Sequence, residues 1–356
     1  EKLIIRPAAL YDKNEINFLL NTRVDRIDRV AKMVSLSNGE TLHYDKLALC
    51  MGARVRELPI PGVQLEGVHY LRDLRDAQAI KQDIKPGDKA VIIGGGYIGL
   101  ETAASLRKIG LKVCVLETME RVLERVTAAE ISAFYHHVHS QEGVEIKTGV
   151  MATEIIGSDR VQSVICNTGD KVDADLVIIG IGVIPNIELA QEIGLDIDNG
   201  IVVNEFAQTS DVDIVAAGDC TMHPNLIYGR SIRLESVPNA SEQAKSAAAS
   251  VCDKQKCYNS LPWFWSNQYD LRLQIAGLNH GFDQVVIRGD LNLGRSFVAW
   301  YLKDNAVIAA DCVNRPAEFM FAKKMIASNT TIPIEELIDD SVDVKTLMAA
   351  LKRDVK

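Results

Sequence analysis

The stretch Lys89–Gly110, KAVIIGGGYIGLETAASLRKIG, decides how the rest of the chain is read. An apolar run, Ala90–Ile93, leads into Gly94, Gly96 and Gly99 in G-x-G-x-x-G spacing, and a helical pattern follows. The next apolar run, Val113–Leu116, ends in Glu117, 18 residues past Gly99. Strand, glycine turn, helix, second strand and terminal acid, in that order, predict a dinucleotide-binding βαβ unit. Gly94 permits the tight turn. Gly96 lets backbone N–H groups approach a pyrophosphate, and Gly99 lets the helix pack close to the strand. The helix N-terminus then faces the phosphates with its partial positive charge. A carboxylate at Glu117 can accept hydrogen bonds from both ribose hydroxyls of NAD and would repel the 2′-phosphate of NADP. Thr118, Met119 and Glu120 offer no cation, and Arg121 lies four residues on, so NADH is expected over NADPH.

The remaining chain has room for more than this unit. Its 356 residues suit two or three domains. Hydrophobic content of 47% and charged content of 24% are those of an ordinary globular protein. No apolar run approaches the length of a membrane span, so no membrane partner is expected. The net charge of −9 argues against nucleic acid. Seven scattered cysteines with no C-x-x-C suit a reducing, cytoplasmic compartment and give zinc no clear site. His136, His137 and His139 lie on one helical stretch without added carboxylate or cysteine ligands. They read as a solvated helix face, and no metal is expected.

Along the chain, residues 1–73 read as extended segments, with a hairpin across Ser37-Asn38-Gly39-Glu40. Asp73–Lys85 and Ala128–Glu142 read as helices, and Leu176–Ile181 as a buried strand closing on Gly180-Ile181-Gly182. From about residue 188 the character changes. Ile214–Asp219, IVAAGD, reads as a strand feeding Gly218 and Asp219, and Pro238–Val251 as a long helix. An acid at a strand's C-terminal end can bind the hydroxyls of a polyol. A helix N-terminus can stabilise negative charge on a flavin pyrimidine edge. After Tyr258 come the aromatic PWFWSNQYD, four strands, and helices Pro316–Ser328 and Val344–Lys352.

LALCMGA, LRD, GGGYIGLE, GIGVIPN, AAGD and ESVPNA, in that order, resemble the two-dinucleotide-fold flavoprotein reductases. ERVLERVTAAEISAFYHHVH, NGIVVNEFAQTSD, PWFWSNQYD and VNRPAEF narrow the resemblance to the oxygenase-coupled, putidaredoxin reductase-like NADH:[2Fe–2S] ferredoxin reductases. It covers essentially the whole chain. The implied fold is α/β: two three-layer dinucleotide-binding domains, for FAD and NAD, plus a C-terminal α+β domain. Residues 1–73 and 188–258 would form the discontinuous FAD domain, 74–187 the NAD domain, and 259–356 the C-terminal domain. The implied activity is that of a ferredoxin–NAD(+) reductase. NADH reduces bound FAD, and single electrons pass to a [2Fe–2S] ferredoxin that feeds a monooxygenase or dioxygenase.

The resemblance also implies roles. Asp219 matches the acid at the ribityl and pyrophosphate link, Val237 the backbone N–H at the flavin pyrimidine end, and Arg72 an arginine near the FAD phosphates. Tyr97 matches an aromatic gate over the flavin, Glu101 an acid beside the flavin N5, and Trp265 an aromatic at the flavin edge. Gly182 belongs to the cofactor-binding set. Met51 departs from the family, which usually has Thr before Gly52. The family's first strand–GxGxxG–helix, for the ADP half of FAD, has no counterpart before Leu3, so the FAD site is expected to be half built in this chain. A disulfide reductase of the same superfamily, or a flavoprotein regulator of apoptosis-inducing-factor type, is the alternative. Arg107, Lys108, Arg121, Arg125, Lys245, Lys323 and Lys324 could form a basic patch for an acidic ferredoxin.

Overall fold

A computed structural model describes residues 4–292 and 294–350. The expected βαβ unit forms. Lys89–Ile93 and Lys112–Glu117 are neighbouring parallel strands, and helix Tyr97–Ile109 connects them. They sit inside a five-stranded parallel sheet with Val68–Tyr70, Leu176–Ile179 and Val144–Thr148. Because both faces of this sheet are covered, its strands read as continuous apolar runs rather than alternating ones. On one face Ile92, Val113 and Val115 meet Ala103 and Leu106 of the helix, and Ile80 of helix Leu74–Asp83. On the other, Val91, Leu116, Val177 and Ile179 pack on a three-stranded antiparallel sheet, Ala152–Gly157, Val161–Cys166 and Lys171–Asp173. The layers are therefore helix, parallel sheet and antiparallel sheet.

The flanking segments 4–73 and 188–258 meet where Leu47–Leu49 pairs in parallel with Ile214–Ala216. Ala53–Val55 pairs with Val183–Pro185 and ties this unit to the parallel sheet. Helix Val237–Val251 packs Ala247 against Val215 and Ala217. Its start is sharp because Ser236 caps it, accepting from the Asn239 N–H, and Pro238 needs no donor there.

The C-terminal part is a five-stranded antiparallel sheet in the order Trp263–Gln268, Leu271–Gly277, Ala306–Val313, Phe297–Lys303 and Gln284–Gly289. One face holds Val298, Trp300 and Cys312 against Phe321 and Met325 of helix Pro316–Ser328. The other holds Leu273, Phe297 and Tyr301 against Phe134 and Tyr135 of helix Ala129–Gln141, which belongs to the nucleotide unit. The C-terminal sheet is thus wedged between its own helix and the nucleotide unit's. At this seam Asp311, 1% exposed, accepts from Tyr301 Oη at 2.6 Å and Thr127 Oγ1 at 2.8 Å.

Several element ends moved. Helix Asp73–Lys85 is Leu74–Asp83, since Asp73 and Asp76 form a reciprocal cap and Asp73 stays outside. The buried strand stops at Ile179, where Gly180 and Gly182 take over. The last helix runs from Val344 to Ala350 within the described residues, and its expected extension to Lys352 lies outside them. The expectation for His139 was wrong. It is fully buried, because Ile131, Tyr135, Val138 and His139 share the helix face turned to the C-terminal sheet. Of the three, only His137 is exposed.

Candidate functional site

The glycine turn brings three backbone segments closer than side chains would permit. Gly94 has φ +114°, and a Cβ there would lie 2.3 Å from the Gly180 carbonyl oxygen. A Cβ on Gly99 would lie 2.0 Å from the Gly94 carbonyl oxygen. Gly96 differs: nothing stands within 4 Å of its Cβ position. It is the helix N-cap and makes no side-chain cap, so the first-turn N–H groups keep no local acceptor. At the other end Gly110 closes the helix at φ +100°, with Arg107 and Lys108 in the last turn complementing the dipole. Gly182, at φ +100°, also has open space around it, and it follows the Gly180 that abuts Gly94.

Glu117 is drawn onto this turn. Its Oε2 accepts the Gly95 N–H at 2.6 Å and its Oε1 the Met119 N–H at 2.8 Å. Each oxygen retains a lone pair, which is what a ribose diol needs. Arg121, the nearest cation in sequence, donates to the Thr127 and Glu124 carbonyls and to Ser132 Oγ. A guanidinium committed to its own loop does not neutralise a 2′-phosphate.

Arg72 and Asp219, 147 residues apart in sequence, meet at 3.3 Å between Nη2 and Oδ2. Arg72 Nε is fixed on the Ala53 carbonyl at 2.8 Å. Gly218, at φ +90°, turns the strand so that Asp219 stands at its end. Nearby, Arg233 contacts the Asp219 carbonyl, and its own Nε is buried without a partner. Val237 is the first residue of its helix, and its side chain is exposed. Two guanidiniums, a carboxylate, an unmet buried donor and a helix start make a donor and acceptor set that fits the diphosphate and polyol of FAD.

Tyr97 and Glu101 meet the strand that carries Trp265, touching its neighbours Phe264, Ser266 and Asn267. The Tyr97 ring lies edge-on to Phe264 with centroids 5.0 Å apart. Its hydroxyl is buried without a partner, and burial pushes its pKa well up. Glu101 Oε1 accepts from Ser266 Oγ at 2.7 Å and from the Asn267 N–H at 3.2 Å. Trp265, between Phe264 and Ser266, is 42% exposed. Its ring stands 5.7 Å from that of Trp263, over which Lys323 Nζ sits at 4.6 Å.

Three of the cations expected to form a basic patch have local partners. Arg107 donates to the Glu142 and Leu111 carbonyls, Arg121 holds its loop, and Lys245 pairs with Glu242. All seven cysteines are free thiols, including the exposed Cys252 and Cys257. Among the described residues no helix is long and apolar enough to cross a membrane.

This fold and glycine turn define a pyridine-nucleotide reductase. Residues 6–244 match the pyridine nucleotide-disulphide oxidoreductase family and residues 263–348 the Reductase C-terminal family, and the chain belongs to the former. It is 43% identical to putidaredoxin reductase of Pseudomonas putida, across 100% of this chain and 85% of that protein. Against the ferredoxin–NAD(+) reductase component of the anthranilate 1,2-dioxygenase system of Burkholderia cepacia it is 38% identical, across 98% and 86%. The crystal structure of the covalent putidaredoxin reductase–putidaredoxin complex superposes with a TM-score of 0.95, 43% identity, and coverage of 99% and 85%.

Sequence reasoning missed the partners that hold these residues. The cap on Glu117, the Arg72–Asp219 contact and the bonds from the C-terminal strand to Glu101 all span long separations. One signal was legible: the 3.6-residue periodicity of Ile131, Tyr135, Val138 and His139 puts His139 on the apolar face.

Proposed function

We propose that this protein is an NADH-dependent, FAD-containing ferredoxin reductase of an oxygenase system, working in the cytoplasm. The observation that carries the reading is the glycine turn closed by Glu117, standing one helix turn from Glu101 in a chain similar throughout to ferredoxin reductases. Gly94, Gly96 and Gly99 receive the NADH pyrophosphate on the helix N-terminus, and Glu117 takes the adenosine ribose hydroxyls. Gly182 lines the same crevice. Asp219, Arg72 and the Val237 N–H hold FAD at its polyol, phosphate and pyrimidine ends. FAD, when bound, supplies the conversion of one hydride into two single electrons. Tyr97 covers the face where the nicotinamide stacks, and Trp265 stands at the edge turned towards the ferredoxin. Each NADH yields NAD(+), two reduced [2Fe–2S] ferredoxins and one proton. Glu101 is the carboxylate placed to hold that proton.

The test is spectroscopic. Protein purified with riboflavin available should show flavin bands that NADH bleaches far faster than NADPH does, and it should then reduce a [2Fe–2S] ferredoxin. Colourless protein, or a flavin that NADH leaves oxidised, overturns the reading.

A further inference from the structure

A buried hydrogen-bond chain leaves the candidate site through the C-terminal domain. Ser266 Oγ donates to Glu101 Oε1 at 2.7 Å, and Gln268 Nε2 donates to Ser266 Oγ at 3.1 Å. His139 Nε2 lies 2.8 Å from Gln268 Oε1, and Tyr269 Oη lies 3.1 Å from His139 Nδ1. Ser266, Gln268 and His139 are each at most 1% exposed.

The polarity of the chain follows from one end. Ser266 Oγ is the donor and Glu101 Oε1 the acceptor, so the Ser266 hydrogen points to Glu101. The Ser266 oxygen then accepts from the Gln268 amide nitrogen, which turns the amide oxygen to His139. His139 must donate to that oxygen from Nε2, so Nδ1 is bare and accepts the Tyr269 hydroxyl hydrogen. Four bonds and one tautomer are set by a single carboxylate. Burial favours the neutral imidazole this needs, pushing the His139 pKa down. A glutamine amide does not relay protons readily, so the chain orients groups rather than conducting through them.

Two further features point the same way. Tyr269 holds φ +56° in the hairpin between Trp263–Gln268 and Leu271–Gly277. An L-residue is strained there, and the bond to His139 helps to hold it. Along the strand, side chains alternate between faces, so anchoring Ser266 inside sets Trp265 on the opposite face.

We propose that Ser266, Gln268 and His139 are positioning residues, which hold the Glu101 carboxylate and the Trp265 indole in fixed register across the domain boundary. This rests on the reading that Glu101 and Trp265 stand at the redox site.

The test uses the complete flavin-loaded protein labelled with 15N-histidine, His139 being assigned by the signal lost in His139→Gln. The neutral Nε2–H tautomer is expected at pH 7. An Nδ1–H tautomer overturns the proposal. Ser266→Ala should lower kcat for NADH-driven ferricyanide reduction about three- to tenfold, the range of one lost hydrogen bond. The KM for NADH should stay within about twofold, and the His139 signals should move because the Gln268 amide is released. Ser266→Thr keeps a hydroxyl and should recover both readouts. Unchanged kcat together with unmoved His139 signals overturns the proposal. The tautomer is read whether or not NADH bleaches the flavin, so failure of the redox reading is told apart from failure of the chain.

Discussion

Glu117 Oε2 accepts the Gly95 N–H at 2.6 Å, so the acid that ends one strand is bonded to the glycine turn that follows its neighbour. The cofactor-selecting carboxylate and the phosphate-binding turn are therefore one structural unit. Replacing Glu117 by Ala removes the acceptor of two backbone donors as well as the ribose contact. Leaving the buried Gly95 N–H unsatisfied costs about 1–3 kcal/mol and, with the lost ribose contact, raises the KM for NADH by about tenfold or more. Discrimination against NADPH should shrink in parallel. Steady-state kinetics with both nucleotides check this, and an unchanged NADH KM would contradict it.

Gly99 and Gly96 should respond differently to the same substitution. Alanine inside a helix normally stabilises by about 1 kcal/mol over glycine. At Gly99 the added Cβ would meet the Gly94 carbonyl oxygen at 2.0 Å, which forces the backbone apart and reverses the sign. Gly99→Ala should lower the melting temperature by several degrees. Gly96→Ala should melt almost as the parent does and still lose NADH affinity, since its Cβ fills the open approach to the helix start. Equal melting temperatures for parent and Gly99→Ala would count against this packing.

Asp219 and Arg72 should act jointly on flavin retention. Asp219→Ala leaves Arg72 Nη2 without its carboxylate at 3.3 Å and removes the acceptor for polyol hydroxyls. The flavin-to-protein absorbance ratio after gel filtration should fall in either single variant. Because the pair is partly exposed, its mutual contribution is only about 0.5–1 kcal/mol, so the double variant should lose slightly less than the sum of the two single losses. Full flavin occupancy in Asp219→Ala would remove Asp219 from the site.

His223 gives a pH signature. It is buried, neither ring nitrogen has a partner among the described residues, and burial pushes its pKa down to about 4. The folded protein then binds fewer protons than the unfolded chain between about pH 6.5 and 4. The stability due to this group is complete above 6.5 and is lost as pH falls, by up to about 3 kcal/mol. Phenylalanine fits the same slot, edge-on to Tyr258 at 5.0 Å. His223→Phe should therefore gain on the parent progressively as pH falls through that window, by denaturant unfolding at each pH. A constant difference across it would rule the mechanism out. Comparing the two proteins cancels the opposite effect of Asp311, whose pKa burial raises to about 6.

The sequence was most legible where local rules act alone. The βαβ unit, the hairpin over residues 37–40 and helix Pro316–Ser328 follow from turn chemistry, apolar period and a proline at the helix start. Helix ends were less legible, since the reciprocal cap that places Asp73 outside its helix depends on side-chain geometry. His139 was misread because three nearby histidines suggested a polar face, whereas the period of the surrounding apolar residues buries the third.

Sequence alone determined that a dinucleotide turn exists, that an acid follows it at the right spacing, and that a polar strand end and a helix start occur further on. Those are short-range properties, set by backbone permissiveness at glycine and by the period of apolar side chains. Only the tertiary structure decided that Arg72 reaches Asp219, that Arg121 is committed to its own loop, and that Ser266 of the C-terminal sheet bonds Glu101 of the nucleotide unit. The first and the last of these join residues 147 and 165 positions apart. Their existence depends on how apolar sheet and helix faces stack, and no local pattern encodes which polar atoms that stacking leaves face to face.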